Sequence, residues 1–550
     1  MSDTPPGIGR PDLLPWLDSW AAAPAPRRVR AVLVAAAALV LVLAAPDSWR
    51  MTPDSGILIG SAVELVDNAR YWFNGHPNLL YFPGVPVLLV PVVFLFGLDF
   101  GAIQVLAAAV GAGSLVLAHR CYDPGRFGLP GLVLPLLLAV NALFLAAAFT
   151  VSSAGVLLAA VLAAFAAWRR YLRDRAAPFL ALTALLAAYA PLVRYEGLCL
   201  SAAFALAYLM AQWRRAGPAA ALARAVPLGL AVVAPFVLWA ARNYVDYTPE
   251  TFNMLNKMFF GQPSALLYAP GSVRLGWDLA DWQWPLLRLA YFLDGFVDGL
   301  VGARLGDLVP PAVTIPALAV LAALGVPRWY RGAHALEVAF ALLMLLFLVA
   351  WNLRPGSSLV VVPRYWVPLL PVALVLLAGG VLRLVEALRR PGPRLAGAAL
   401  GLLAGAVLAA NGVASLAYYL RSDADYAAGL AAMRAAAGQV RTRTAADAVV
   451  AVTDWGAMPL LLHRPTVLAL NDPDHERTLR LLLRKDARAL VVVDGLASLT
   501  SQTSRRMVRD HPDVFPELFR QGAPGGLFTT TVHGIDPDRL RAAVARMPTP

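Results

Sequence analysis

Thr52-Pro53-Asp54-Ser55-Gly56, continuing through Ile57–His76 and closed by Tyr81-Phe82-Pro83-Gly84-Val85-Pro86, is the first polar stretch after the first apolar run. It sets a carboxylate, Asp54, one or two turns beyond the end of that run. Behind it, Ile59, Ala62, Val63, Val66, Ala69 and Phe73 recur at helical spacing on one side. Glu64, Asp67, Asn68 and Tyr71 fall on the other. The pattern predicts an amphipathic helix lying in a membrane interface, apolar face down, over the polar edge of a bundle. An acid or base placed there reaches a substrate whose tail stays in lipid.

Composition supports a membrane setting. Of 550 residues, 59% are hydrophobic and only 15% charged, where soluble domains carry about a quarter charged residues. The mean hydropathy is +0.64. The net charge of +12 is almost all arginine, since Lys257 and Lys485 are the only lysines. In a membrane chain such a balance first explains orientation rather than nucleic-acid binding, and no nucleic-acid partner is expected. Cys121 and Cys199 make neither a disulfide framework nor a metal cluster. The first apolar run, about 31–46, lacks a small-residue cleavage site and reads as a retained anchor.

Residues 1–26 read as a loose cytoplasmic N-terminus. Arg27, Arg28 and Arg30 precede the first span and predict a cytoplasmic start with Asp54 outside. Further apolar runs lie at about 84–97, 101–118, 130–149, 152–168, 178–194, 197–213, 226–242, 308–325, 335–351, 365–382 and 394–411. Arginines recur between them, at 120/126, 169–175, 214–224, 328/331 and 383–394. If those short loops are cytoplasmic, the outer side receives the first loop (47–83), the Ser152-Ser153 turn, Arg194-Tyr195-Glu196, a long loop (243–307) and Asn352–Tyr365. The expected fold is a polytopic α-helical membrane protein of about 11–13 spans over residues 27–421. A small extracytoplasmic α/β domain, 422–550, follows. There, short strands at Asp447–Thr453, Pro465–Asn471, Ala487–Asp494 and Gly526–His533 alternate with helices at about 456–463, 474–485 and 498–510, predicting a mainly parallel sheet.

Four distant segments therefore bring polar clusters to one face. Asp54 has a plain alternative role as a helix N-cap. Arg194 and Glu196 sit between two apolar runs with almost no loop. A charge near bilayer depth costs roughly 2.5–3.5 kcal/mol, so it pairs or lines a cavity; a mutual pair steadying the turn is the alternative. Pro363-Arg364-Tyr365-Trp366 opens a span after a loop holding Arg354, where interfacial anchoring competes with anion binding. Arg242-Asn243-Tyr244 leads into the long aromatic loop. No phosphate-binding glycine loop, HExxH, CxxC or GxSxG is present. Asp472-Pro473-Asp474-His475-Glu476 reads as a turn and helix start rather than a metal site, and neither a metal nor a cofactor is expected.

The first-loop acid ahead of a helix and the closing Phe82-Pro83-Gly84-Val85-Pro86 resemble the GT-C superfamily of membrane glycosyltransferases. Arg194-Tyr195-Glu196-Gly197 and Arg364-Tyr365-Trp366-Val367-Pro368-Leu369-Leu370-Pro371 match patterns of its bacterial members. The similarity covers about 30–420 and lies nearest the protein O-mannosyltransferase and lipid A aminoarabinose transferase branches. The turn that relatives often write Ser-Glu-Pro is Ser152-Ser153-Ala154-Gly155 here, and no residue role is carried over to it.

The resemblance implies an inverting transferase in the inner (cytoplasmic) membrane. Its donor is a sugar on a polyprenyl phosphate, and its acceptor a glycan, lipid or protein at the outer face, with membrane lipid around both. Asp54 takes the position of the catalytic carboxylate. Arg364, Arg194, Arg242 and Arg354 are the candidates for the donor phosphate, in that order. Glu64, Asp67, Tyr71, Glu196 and Tyr365 are candidate substrate contacts. A transporter or flippase for a lipid-linked or anionic substrate is the competing class, and a non-catalytic membrane scaffold the third.

Overall fold

A computed structural model describes residues 19–79, 81–245, 311–353, 363–389, 422–454, 456–469, 475–494, 499–522 and 528–547, with 412, 413, 415 and 417 between them. Arg354, the apolar run 394–411 and most of the long loop 243–307 lie outside the described residues. The chain is mostly helical. Each apolar run predicted between residues 31 and 382 contains a helix: α1 (Pro24–Leu43), α3 (Gly84–Phe96), α4 (Phe100–Cys121), the pair α5 (Leu129–Ala139) and α6 (Ala142–Ala148), α7 (Ser153–Asp174), α8 (Ala177–Val193), α9 (Leu198–Val245), α10 (Pro311–Gly332), α11 (Ala335–Leu353) and α12 (Leu370–Arg389). Helix α1 begins within the segment expected to be loose, because Pro24 suits a first helical turn.

Among the described residues, four helical stretches are each long and apolar enough to cross a membrane: Phe100–Cys121, Ser153–Asp174, Tyr195–Asn243 and Arg364–Ala387. The pair α5 and α6, bent by 55°, makes a fifth. The 11–13 spans expected were counted over the whole chain, and several of the described helices fall outside this length and composition for local reasons. Helix α3 has 13 residues and contains Pro91, α8 has 17, and α1 carries three arginines in its first two turns. Helix α9 is broken at Gly217 (φ 78°) into two pieces, as the two predicted runs require.

The predicted first-loop helix is α2 (Pro53–Asn68). Its cap is Thr52, not Asp54. The Thr52 hydroxyl accepts from Ser55 N at 3.1 Å, and the Ser55 hydroxyl accepts from Thr52 N at 2.9 Å. This reciprocal pair satisfies two otherwise orphaned amides and leaves the Asp54 carboxylate free for other partners. The helix ends at Ala69, which turns left-handed (φ 51°), so Phe73 falls instead in a two-strand hairpin, β1 (Trp72–Phe73) with β2 (His76–Pro77). Nor does α2 lie on an interface with one side open. Residues 55–62 are buried throughout, between the bundle below and the C-terminal domain above.

That domain begins with α13 (Asp423–Arg443). There follow β3 (Val449–Val452), α14 (Ala457–Leu462), β4 (Thr466–Leu468), α15 (Glu476–Arg484), β5 (Ala487–Asp494), α16 (Leu499–Asp510), β6 (Glu517–Gly522), β7 (Thr529–Gly534) and α17 (Pro537–Ala545). The sheet order is β4-β3-β5-β7-β6. It is mixed rather than mainly parallel. β4, β3 and β5 run parallel, but β7 is antiparallel to both β5 and β6. Strand β6 was not predicted because it is an edge strand with no fully buried residue, so apolar alternation is absent. Leu479, Leu482, Leu490, Val492 and Phe515 form a core that belongs to this domain alone.

Candidate functional site

The polar segments that interrupt the apolar runs converge. Asp54 stands in the first turn of α2, half-buried, and both its carboxylate oxygens are engaged. Oδ1 accepts from the Tyr81 hydroxyl at 2.5 Å. Oδ2 accepts from Nη1 of Arg364, which lies in the 3-10 turn Pro363–Leu369 that opens α12. The Arg364 side chain is 36% exposed, and its buried Nε–H has no acceptor among the described residues. One edge of the guanidinium thus faces the acid, while a second donor awaits an acceptor.

Tyr81 is placed by its own chain. Its amide donates to Asn78 Oδ1 at 3.1 Å, and its carbonyl accepts from the Tyr71 hydroxyl at 2.8 Å. Asn78 Nδ2 in turn donates to Ser61 Oγ on α2 at 2.7 Å, closing the loop back onto the helix that carries Asp54. Burial pushes the Tyr71 and Tyr81 phenols well above their ordinary pKa. Both therefore remain protonated donors across physiological pH.

Arg242 reaches the same loop from the end of α9. It donates to Tyr71 O at 3.4 Å, stacks on the Tyr71 ring at 5.7 Å and bonds Asn243 Oδ1 at 3.0 Å. Arg194 is differently disposed. Its Nη2 donates to Glu196 at 2.6 Å, its Nη1 to Ser153 Oγ at 2.9 Å, and its face covers the Tyr365 ring at 4.7 Å. The Glu196 side chain is 1% exposed. Arg194 and Glu196 are thus the mutual pair that steadies the turn, tied to the start of α7. With its donors occupied, Arg194 buttresses Tyr365 rather than offering a free fork, and Glu196 is enclosed with it. The Tyr195 hydroxyl donates to Tyr365 Oη at 3.2 Å. Beside it, Phe82 packs on Trp239 (4.5 Å between centroids) and Phe236 (6.1 Å), giving the site an apolar flank.

Asp54, Arg364, Tyr365, Arg194, Glu196, Tyr71 and Arg242 are therefore brought together. Glu64 and Asp67 are not. They lie ten and thirteen residues down α2, about 15–20 Å away at 1.5 Å per residue; Glu64 accepts from Asn68 at 2.9 Å and Asp67 is exposed. Tyr81, Asn78 and Ser153 carry the geometry without having been singled out for it, although Tyr81 heads the aromatic-Pro-Gly-x-Pro closure quoted from the sequence. A cleft of about 610 Å³ opens elsewhere, between the α3–α4 corner and α13, lined by Asp47, Asp99, Asp423 and Arg434. None of the converging residues lines it. Among the described residues no three potential ligands cluster as a metal site.

The other end of the bundle is held by a separate network. Arg169, sixteen residues or about 24 Å along α7 from Ser153, pairs with buried Glu337 at 2.6 Å. Arg30 donates to Tyr122 O and Gly131 O at 2.9 and 2.7 Å.

No family model matches the chain, and no curated protein matches it by sequence. Solved structures do. ArnT from Cupriavidus metallidurans bound to undecaprenyl phosphate superimposes with a TM-score of 0.52 at 16% identity, covering 92% of this chain and 97% of that one. Its apo form gives 0.52 at 14% identity, covering 92% and 98%. The Archaeoglobus fulgidus oligosaccharyltransferase tethered to an acceptor peptide gives 0.50 at 12% identity, covering 93% of this chain and 74% of that one. This chain therefore shares the fold of these solved structures.

Proposed function

We propose that the protein is an inverting membrane glycosyltransferase that moves a sugar from a polyprenyl-phosphate donor to an acceptor hydroxyl at the outer face of the cytoplasmic membrane. The observation that carries this reading is the meeting of Asp54 and Arg364 within a GT-C fold. Asp54 takes the proton of the acceptor hydroxyl as its oxygen attacks the anomeric carbon from the face opposite the phosphate. The bond from that carbon to the phosphate oxygen breaks, and the polyprenyl phosphate leaves with the electron pair. A positioned base contributes about 10²–10⁴-fold. Negative charge builds on the departing phosphate, where the Arg364 guanidinium, with its unpartnered Nε–H, stabilises it without reorganising. Arg242 is the second candidate cation and Arg354 a third. Tyr81 orients the base, and the Arg194–Glu196 pair fixes the Tyr365 ring beside Arg364. The isoprenoid tail stays in lipid alongside the bundle, with the C-terminal domain on the same outer side.

The test is transfer by the full chain in proteoliposomes, supplied with a panel of radiolabelled undecaprenyl-phosphate sugars and a bacterial envelope fraction as acceptor. Label should move from at least one donor. Asp54→Asn, which changes charge with little change of volume, should lose at least 100-fold in rate, as the base contribution demands, while undecaprenyl phosphate still binds. Transfer by Asp54→Asn at the unsubstituted rate, or none from any donor, overturns the proposal.

A further inference from the structure

The C-terminal domain grips the Asp54 helix on both sides of the acid. Ahead of it, the Ser48 hydroxyl donates to Asp423 Oδ1 at 2.6 Å, and Arg50 Nη1 donates to Ser422 Oγ at 2.8 Å. Within the helix, Gly56 follows Asp54 by two residues and lies directly against the Gly456 carbonyl at the start of α14, too close for any Cβ. That end of α14 is itself fixed. The buried Asp454 carboxylate accepts from Ala457 N at 2.6 Å and Met458 N at 3.1 Å, capping α14 where it presses on α2.

The second grip is on the hairpin that leads to Tyr81. Its turn is Asn74-Gly75, with both residues left-handed (φ 54° and 76°), as a tight two-residue hairpin requires. The Asn74 side chain faces the backbone of Thr466 on β4. Its Nδ2 donates to Thr466 O at 3.0 Å, and Thr466 N donates to its Oδ1 at 3.1 Å. β4 is the outermost strand of the sheet, where one side of the backbone has no strand partner. The amide of Asn74 supplies the donor and acceptor that a neighbouring strand would have given. Asp54 is thereby bracketed, with α14 pressing on its helix and β4 holding the loop whose Tyr81 hydroxyl touches its carboxylate.

From this bracket we infer that the C-terminal domain is a clamp that sets the Asp54 carboxylate against Arg364, and that Asn74 and Gly56 are positioning residues for it. The inference rests on reading Asp54 as the catalytic base. It assigns the domain a mechanical task at the bundle's site, carried by two small contacts rather than by a ligand site of its own.

The experiment labels carboxylates in the full chain, in lipid nanodiscs, with a water-soluble carbodiimide and glycine ethyl ester, reading each site by peptide mass spectrometry. Asp67, on the same helix but exposed, is the internal reference, and Glu337 reports on the far end of the bundle. Asn74→Ala should raise labelling of Asp54 at least about fivefold relative to Asp67, and Asn74→Asp, which keeps the acceptor for Thr466 N–H, should recover part of the protection. Gly56→Ala should act in the same direction even though alanine favours a helix more than glycine does. Asp54 labelling within twofold of the unsubstituted chain in both Asn74→Ala and Gly56→Ala overturns the clamp. So does a rise matched at Glu337, which marks general loosening. Labelling needs no turnover, so the clamp is judged independently of the base, whose failure shows only as sugar transfer by Asp54→Asn.

Discussion

Asp54 and Arg364, 310 residues apart in the chain, form one ion pair at the mouth of the bundle. The pair joins the first turn of α2 to the 3-10 turn that opens α12, and the buried Nε–H of its guanidinium has no acceptor among the described residues. Arg364→Lys tests what that geometry contributes. Lysine keeps the charge but lacks the planar fork that engages a carboxylate and a phosphate together. Undecaprenyl phosphate binding should weaken about 10–100-fold, the equivalent of one hydrogen bond to a charged group at about 1.5–3 kcal/mol. Binding by Arg364→Lys equal to that of the unsubstituted protein removes Arg364 from the phosphate site.

Tyr81→Phe separates orientation of the acid from packing around it. The ring stays while the hydroxyl that donates to Asp54 Oδ1 is lost. Transfer should fall about 10–100-fold, again the scale of one charge-assisted hydrogen bond, with undecaprenyl phosphate affinity held within twofold. A fall in affinity with unchanged turnover places the hydroxyl on the donor instead.

Much of this site was legible as polar residues interrupting apolar runs. Arg194 and Arg242 end apolar runs, Arg364 opens one and Asp54 lies just beyond one, and an ionised group there must find a partner or a cavity. The identity of the partners was not legible. Arg194 found Glu196 two residues away, whereas Arg364 found Asp54 across most of the chain, and nothing in spacing tells these cases apart. Periodicity over-extended α2, because the apolar residues continue past the left-handed break at Ala69 into the hairpin. It also placed Glu64 and Asp67 at the site by sharing a helix with Asp54, although helical rise carries them away. In the C-terminal domain the buried strand β5 was plain in its valines, but the polar edge strand β6 left no pattern, and with it went the antiparallel direction of β7.

Glu196→Gln probes the buried pair. The change preserves shape but strands the Arg194 charge at a site where its partner's side chain is 1% exposed. Removing one member of a buried pair costs about 3–5 kcal/mol, whereas replacing both with apolar residues is often neutral. The thermal midpoint in detergent should drop clearly for Glu196→Gln, and Arg194→Met/Glu196→Leu should lie nearer the unsubstituted protein. If the single and double variants melt together, the pair is not what holds the α8–α9 turn.

His533 gives the C-terminal domain a defined acid sensitivity. It is buried on β7 with ring nitrogens 3.3 Å from Phe515 O and from Thr531 Oγ1. Burial lowers its pKa below the ordinary 6.5, while the Phe515 carbonyl and Glu517 pull upward and Arg520 opposes them. The folded domain therefore binds this proton less readily than the unfolded chain. Its stability is full above about pH 6.5, the ordinary histidine value, and declines as pH falls from there toward the lowered folded-state value. Hydrogen exchange of residues 529–534 in the full chain should accelerate between pH 7 and pH 5, after correction for the intrinsic pH dependence of exchange. His533→Gln, which cannot be protonated, should flatten that slope. An equal slope in both proteins assigns the acid sensitivity to another group.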